Sequence, residues 1–234
     1  MKIAILSDIH GNHYALEQVL KAAKQNKVEK LLVLGDIVGY YYHPDKVLSM
    51  LDEWDYELIK GNHEKLIEGL LNNTIDASTL QKKYGSGHRM ALDKLTKTQI
   101  TKLISASEKK EITLNDTTIL MCHGTNWDSD FYLYPDSDQK LLEKGNVVGV
   151  DFVVIGHSHY SFVHRNTNST LINVGSVGQS RSVGGIANWI VINTRNNCFE
   201  LKATPYDVKP LIEEIERIDP EVNYLKKILI RNNP

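Results

Sequence analysis

Apolar and polar positions in the N-terminal part of the chain switch repeatedly between two periods. Residues 2–6 form a short apolar run rich in β formers, ending at Ser7-Asp8. Tyr14, Ala15, Leu16, Val19, Leu20 and Ala23 then recur at helical spacing. Residues 30–34 are the next apolar run and close on Gly35-Asp36. Pro44 fits the first turn of a helix carrying Val47, Leu48 and Leu51. Residues 56–59 read as a third strand, closing on Gly61-Asn62. Strands and helices alternating at this spacing imply right-handed crossovers and a parallel sheet.

Residues 64–107 show only helical signals, with Thr96 and Gln99 resembling a capping box ahead of Ile100, Leu103 and Ile104. This helical segment is expected to cover one flank of any site. A β-rich half follows. Residues 111–114 and 117–121 flank the turn Asn115-Asp116. Residues 136–146 read as helix and 151–155 as an apolar strand ending at Gly156-His157. Residues 160–165, 169–174, 187–193 and 198–203 read as antiparallel strands, and the chain from about Asp207 is helical and charged. No repeat or linker interrupts this order. The pattern predicts one domain over 1–234, of α/β class, with two sheets and helices outside them.

Five of the predicted strand exits carry side chains that metals favour. They are Asp8-Ile9-His10, Gly35-Asp36, Gly61-Asn62-His63-Glu64, Cys122-His123-Gly124 and Gly156-His157-Ser158-His159. Ligands bind just beyond the carboxyl ends of parallel strands, and Asp8, Asp36, Asn62, His123 and His157 hold that position. His10 and His159 follow at a spacing that lets one exit aim a pair of side chains at one ion. Carboxylate, amide oxygen and imidazole without thiolate suit manganese, iron, zinc or similar ions, and argue against a structural zinc clip. The set is too large for one ion, but two ions sharing a bridging carboxylate would use all of it. Such a pair suits phosphoryl transfer. His63 is then the candidate to protonate the leaving oxygen, with Glu64 expected to hold and polarise that imidazole from behind.

Composition narrows the partners. Hydrophobic content of 41% and charged content of 24% over 234 residues exclude disordered and fibrous classes. A net charge of −2 gives no electrostatic reason to expect nucleic acid or an anionic membrane. Cys122 and Cys198 form neither a zinc-spaced pair nor a disulfide framework, and Cys122 is expected as a small core residue. The first apolar run is too short for a signal peptide or a membrane span, so the expected location is cytoplasmic. Tyr40, Tyr41, Tyr42 and His43 form an aromatic loop beside Asp36, either a packed turn or a stacking wall for a flat group. From it, Tyr40 and His43 are candidate substrate contacts, and Arg181 is a candidate phosphate clamp. Trp127, Phe131, Tyr132 and Tyr134 carry the same ambiguity as the loop. His13, His88 and His164 lie outside every cluster and are expected at the surface.

The order and spelling of these clusters resemble the calcineurin-like metallophosphoesterases, whose pattern is D-x-H, G-D, G-N-H-[DE], H and G-H-x-H. The resemblance runs from Asp8 to His159. It implies a four-layer α/β/β/α sandwich of two mixed sheets flanked by helices. It also implies two divalent metal ions, manganese first, with iron, zinc, nickel or magnesium as alternatives. Asp8, His10, Asp36 and His159 would hold one ion, and Asp36, Asn62, His123 and His157 the other, with Asp36 bridging. The stretch 35–41 lacks the arginine that protein Ser/Thr phosphatases and symmetrical dinucleoside tetraphosphatases carry after G-D. Its wording, with that of 175–181, is similar to a group of small prokaryotic phosphoesterases, which usually have proline where Ser180 stands. The resemblance implies hydrolysis of small phosphodiesters or nucleotide polyphosphates, such as dinucleoside polyphosphates. A phosphomonoesterase and a non-catalytic scaffold are the competing readings. The expected partner is a small phosphorylated molecule such as a nucleotide, and a homo-oligomer is compatible with the tyrosine-rich loops.

Overall fold

The computed structural model describes residues 1–232. In chain order its first half contains β1 (Lys2–Leu6), α1 (His13–Gln25), β2 (Lys30–Val33), α2 (Pro44–Leu51) and β3 (Tyr56–Leu58). Four helices follow: α3 (Asn62–Leu71), α4 (Ala77–Tyr84), α5 (Gly87–Lys94) and α6 (Lys97–Ile104). The second half begins with β4 (Lys109–Leu114), β5 (Thr117–Cys122), α7 (Gln139–Glu143), β6 (Phe152–Ile155), β7 (Ser161–Arg165) and β8 (Thr170–Val174). It closes with β9 (Ile186–Asn193), β10 (Cys198–Pro205), α8 (Lys209–Ile218) and α9 (Asn223–Leu229).

These strands make two five-stranded sheets, ordered β10-β9-β1-β2-β3 and β4-β5-β6-β8-β7. In the first, β1, β2 and β3 run parallel as their spacing predicts, and β9 joins β1 antiparallel. In the second half the expected antiparallel strands form two hairpins, β7–β8 and β9–β10, that lie in different sheets. β8 pairs antiparallel with β7 but parallel with β6, and β6 is parallel with β5. The reason is topological: β7 passes to the sheet edge, and its hairpin brings β8 back into the gap beside β6. β9 and β10 then leave this sheet to extend the first one.

Strand periodicity explains how the layers stack. Alternate residues such as Ile3, Ile5, Leu32, Met121, Val154 and Ile190 fill the space between the sheets. Their neighbours Ala4, Leu6, Leu31 and Val33 face outward into a core shared with α1 and α2. Both faces of β2 are therefore buried, so it reads as an unbroken apolar run. Each fully buried aliphatic contributes about 1.5–3 kcal/mol. The outer cover of the second sheet is thinner: Val153, Ile155 and Leu171 pack under Leu133, Leu142 and Val150. The result is the expected α/β/β/α sandwich.

The aromatic loop after Asp36 divides in two. Tyr41 and Tyr42 are fully buried against Leu211, Ile215, Leu225 and Ile228 of α8 and α9. Asp219, just beyond α8, accepts hydrogen bonds from the Tyr42 hydroxyl (3.0 Å), the Ser86 amide (2.8 Å) and the Ser86 hydroxyl (2.6 Å). That one carboxylate ties the C-terminal helices to the aromatic loop and to the α4–α5 junction. Among the described residues, no helix is long and apolar enough to cross a membrane.

Candidate metal centre

The exits of β1, β2, β5 and β6 and the first turn of α3 meet at one end of the two sheets. Asp8, His10, Asp36, His63, His123, His157 and His159 are all buried there. Donor atoms of Asp8, His10 and His159 lie within 4.8 Å of one another, as do those of Asp36, His123 and His157. Asp36 links the sets, its Oδ2 lying 3.8 Å from His10 Nε2 and 3.3 Å from His123 Nε2. Asn62 Oδ1 is 3.0 Å from His123 Nε2.

Ring tautomers follow from the outer partners. Nδ1 of His10 lies 3.0 Å from the Val38 carbonyl, that of His159 2.8 Å from Gln179 O, and that of His123 2.7 Å from Leu34 O. A carbonyl only accepts, so each Nδ1 donates and a neutral ring presents a bare lone pair at Nε2. The Nε2 atoms of His10 and His159 then face each other at 3.2 Å. Beside them Asp8 Oδ1 is buried and accepts no hydrogen bond. A pocket of lone pairs and carboxylates calls for positive charge, and divalent ions fit it. His157 differs: its Nε2 is 3.1 Å from Asp130 O, leaving Nδ1 as its free donor atom.

Electrostatics say the same. Burial opposes charge on Asp8 and Asp36, yet the imidazoles of His159 and His123 hold both below the usual carboxylate range. Burial also opposes a proton on His123, but the Asp36 and Asp8 carboxylates outweigh it and push its pKa up to about 10. That proton stands where a metal would supply positive charge. Burial pulls His10 and His157 down to about 4.

The backbone is strained at this point. Asp8, His10, Asp36, Tyr40, His157 and His159 all have φ between 53° and 63°. Left-handed non-glycine residues cost roughly 1 kcal/mol or more each and persist only where the surroundings over-determine them. Here they are pinned by amide bonds such as Asp8 N–H to Gly35 O (3.2 Å) and His10 N–H to Asp36 O (2.9 Å). Glycine is needed where the chains touch. A Cβ at Gly61 would overlap Asp36 Oδ1, and one at Gly39 would overlap the His63 ring.

Glu64 does not hold the His63 imidazole. Its Oε1 accepts the amides of Ile37 (2.8 Å) and Val38 (3.3 Å), and its Oε2 those of Asp36 and Gly61 (both 2.8 Å). Placed at the third position of α3, it finds the nearest unsatisfied donors in the loop after β2, and so fixes Asp36 through its backbone. Burial and the Asp36 charge push its pKa up to about 7, while those amides favour the ionised form. Since each oxygen already accepts two amides, the bound form is the carboxylate. Glu64→Gln replaces one acceptor by a donor, stranding two buried amides; we expect a loss of about 2–4 kcal/mol, read as a lower melting temperature.

His88 takes the place expected for Glu64. It is buried, contrary to its expected surface position, and its Nε2 lies 3.0 Å from His63 Nδ1 with the rings 7° from parallel. With Nδ1 so engaged, Nε2 is the His63 atom left for chemistry. His88 belongs to no motif, because it stands alone in a helical segment. Its signal is the break Gly85-Ser86-Gly87, where a Cβ on Gly87 would overlap the Gly39–Tyr40 backbone. His13 is also buried, its Nε2 3.3 Å from Lys46 Nζ of α2.

The expected substrate contacts separate. Tyr40 reaches the centre, its ring 4.6 Å from that of His10 and 4.9 Å from His63. Arg181 lies near it, with its guanidinium 5.9 Å above Tyr132. His43 turns away: it bonds Glu214 at 2.7 Å and meets the His13 ring edge-on. As the residue preceding Pro44 it caps α2, and that geometry aims it at α1 and α8. Tyr132 stacks on His157 at 3.8 Å, whereas Trp127 and Phe131 pack beneath the second sheet. Ser180 accepts from Asn188 Nδ2 at 3.1 Å and is buried, so the loop that lacks proline is held by hydrogen bonds instead. Cys122 is a core residue whose thiol burial pushes up to about 12.

Comparison with known proteins agrees with this geometry. An uncharacterized protein of Methanocaldococcus jannaschii is 27% identical over 231 residues, covering 91% of each chain. A hypothetical protein of Pyrococcus horikoshii shares the fold with a TM-score of 0.84 at 18% identity, over 100% of this chain and 99% of that one. A metallophosphoesterase of Sphaerobacter thermophilus superposes with a TM-score of 0.74 at 20% identity, over 97% and 98%. Residues 1–197 match the family described as the calcineurin-like phosphoesterase superfamily domain. The chain therefore belongs to the calcineurin-like phosphoesterase superfamily and is a metallophosphoesterase.

Proposed function

We propose that this metallophosphoesterase hydrolyses small phosphodiesters or nucleotide polyphosphates at a two-ion centre. Asp8, His10, Asp36 and His159 would hold one ion, and Asp36, Asn62, His123 and His157 the other. The observation that carries this reading is Asp36 Oδ2 lying between two sets of inward-facing donor atoms. Manganese is the first choice for such a set, with iron, zinc, nickel and magnesium as alternatives. Divalent ions there would supply Lewis acidity for the phosphoryl oxygens and a lowered pKa for a water between them.

The chain's own groups do the rest. Burial and the neighbouring imidazoles hold His63 well below its ordinary pKa, so the resting ring is neutral. The negative charge of a bound phosphate favours its protonated form, which then gives the proton from Nε2 to the leaving oxygen. His88 keeps that ring in line. Space on both sides of Tyr84 supports a diester over a monoester. One cavity of about 220 Å³ touches Asn62 and His157, and another of about 460 Å³ opens at Tyr40 and Tyr84. Two openings accommodate two ester groups on one phosphorus.

The test is a panel of p-nitrophenyl esters with added divalent ions. Bis(p-nitrophenyl) phosphate should be hydrolysed with manganese, faster than the monoester, and chelation should stop it. A faster monoester rate would make the chain a phosphomonoesterase. A protein that takes up no metal and turns over no ester would be a scaffold of this fold, and the proposal would fail.

A further inference from the structure

The cavity of about 460 Å³ beyond Tyr40 has an unusual lining. Tyr40, Tyr84, Tyr134, Tyr160 and Tyr224 form its walls. Lys83, Arg181 and Arg231 supply its charges, and no carboxylate is among the lining residues. Phenol faces suit a flat ring, and an all-cationic rim suits an anion; one ligand carrying both satisfies the whole surface. The Nε of Arg181 is buried without a partner, although its carbonyl is fixed by Arg231 Nη1 at 3.1 Å. Arg181 lines the cavity and no carboxylate pairs with its guanidinium among the described residues, so its charge is left for a ligand anion.

The cavity continues into the centre. Tyr40 and Tyr84 both stand with ring centroids 4.9 Å from His63, and Tyr40 is 6.3 Å from Tyr224. A molecule whose phosphorus lies at Asp36 therefore extends into it past His63, on the leaving-group side. Because the centre itself takes the scissile phosphate, the further cations call for a second anionic group. Tyr224 and Arg231 of the far wall lie outside residues 1–197, which match the family. Asp219 holds that wall in place through Tyr42 and Ser86.

We propose that this cavity is a nucleotide subsite. It takes the base of a nucleoside polyphosphate between Tyr84 and Tyr224, and a phosphate next to the scissile one on Arg181. The subsite rests on the hydrolase reading above and names its substrate class. Its volume is in the range of small-molecule sites. Stacking on an aromatic side chain is worth roughly tenfold in affinity per base.

Equilibrium binding to the full chain as purified tests it, with AMP, ribose 5-phosphate and adenosine as probes. AMP should bind about tenfold or more tightly than either of the others. Tyr224→Leu should weaken AMP several-fold and leave ribose 5-phosphate unchanged, and Tyr224 is 39% exposed, so the variant should fold. Arg181→Met should weaken AMP and ribose 5-phosphate but not adenosine; Arg181→Lys, which keeps the charge, guards against misfolding and should restore part of the loss. Equal affinity for AMP and ribose 5-phosphate, or equal loss of both in Tyr224→Leu, overturns the subsite. The readout needs no turnover. Selective AMP binding without hydrolysis of any ester would overturn the proposed hydrolase alone, and hydrolysis without selective binding would overturn the subsite alone.

Discussion

Asp36→Ala should abolish turnover, by at least about 10³-fold, and empty both metal positions together. Among the described residues, Asp36 is the side chain whose Oδ2 faces both His10 and His123. Losing it removes a ligand and a negative charge from each set. The substitution acts a second way, because Asp36 Oδ1 accepts the His63 amide at 2.8 Å and so fixes the first turn of α3. Asp36→Asn keeps that hydrogen bond and nearly the same shape. If charge and ligation are what matter, the asparagine variant should also lose metal, by elemental analysis, while melting close to the parent. An asparagine variant that keeps its full metal content and rate would remove Asp36 from the bridging role.

His63→Ala should spare the metals and lower kcat by about 10²–10⁴-fold, but only where the leaving group needs a proton. An alkyl alcohol leaves as an unstable alkoxide unless protonated, whereas p-nitrophenolate departs unaided. The loss should therefore be large on an alkyl phosphodiester and within about tenfold on bis(p-nitrophenyl) phosphate. The backbone amide that meets Asp36 survives the substitution, which is why metal content should hold. Because His63 is buried beside Tyr40, Tyr84 and His88, His63→Asn belongs in the same experiment as a variant that leaves a smaller void. Equal losses on both substrates would make His63 a positioning residue and not the acid.

Much of this centre can be read along the chain because each donor is a local feature. Asp8, Asp36, His123 and His157 stand one to three residues beyond a strand, and a strand's direction decides where its exit lies. Asn62 and His63 open a helix directly after the glycine that closes the β3 segment. Glu64 shows the limit. Its identity beside His63 suggests a partner for that ring, yet its oxygens turn to four amides of the loop after β2 and of Gly61. Buried backbone donors are obligatory to satisfy, and only the folded loop reveals that they are there.

His88 and the tyrosines extend the point. The break Gly85-Ser86-Gly87 marks the start of α5 but does not name His88 as the partner of His63, because the pairing arises from how α5 packs against α3 and the aromatic loop. Tyr40 and Tyr41 are chain neighbours of like chemistry, but Tyr40, at φ 56°, turns to the centre and Tyr41 to the C-terminal helices. His43, one of the named substrate contacts, belongs to a different cluster for the same reason.

By itself the sequence determined the strand and helix order and named the candidate donors, since periodicity and strand exits are short-range properties of the chain; the four-layer sandwich followed from the family resemblance. Tertiary structure alone decided which side chain braces His63, how the aromatic loop divides, and that Tyr224 joins Tyr40 in one cavity. Those outcomes depend on segments far apart in the chain competing for buried space and for unsatisfied hydrogen-bonding groups. That competition is settled only when all of them pack at once.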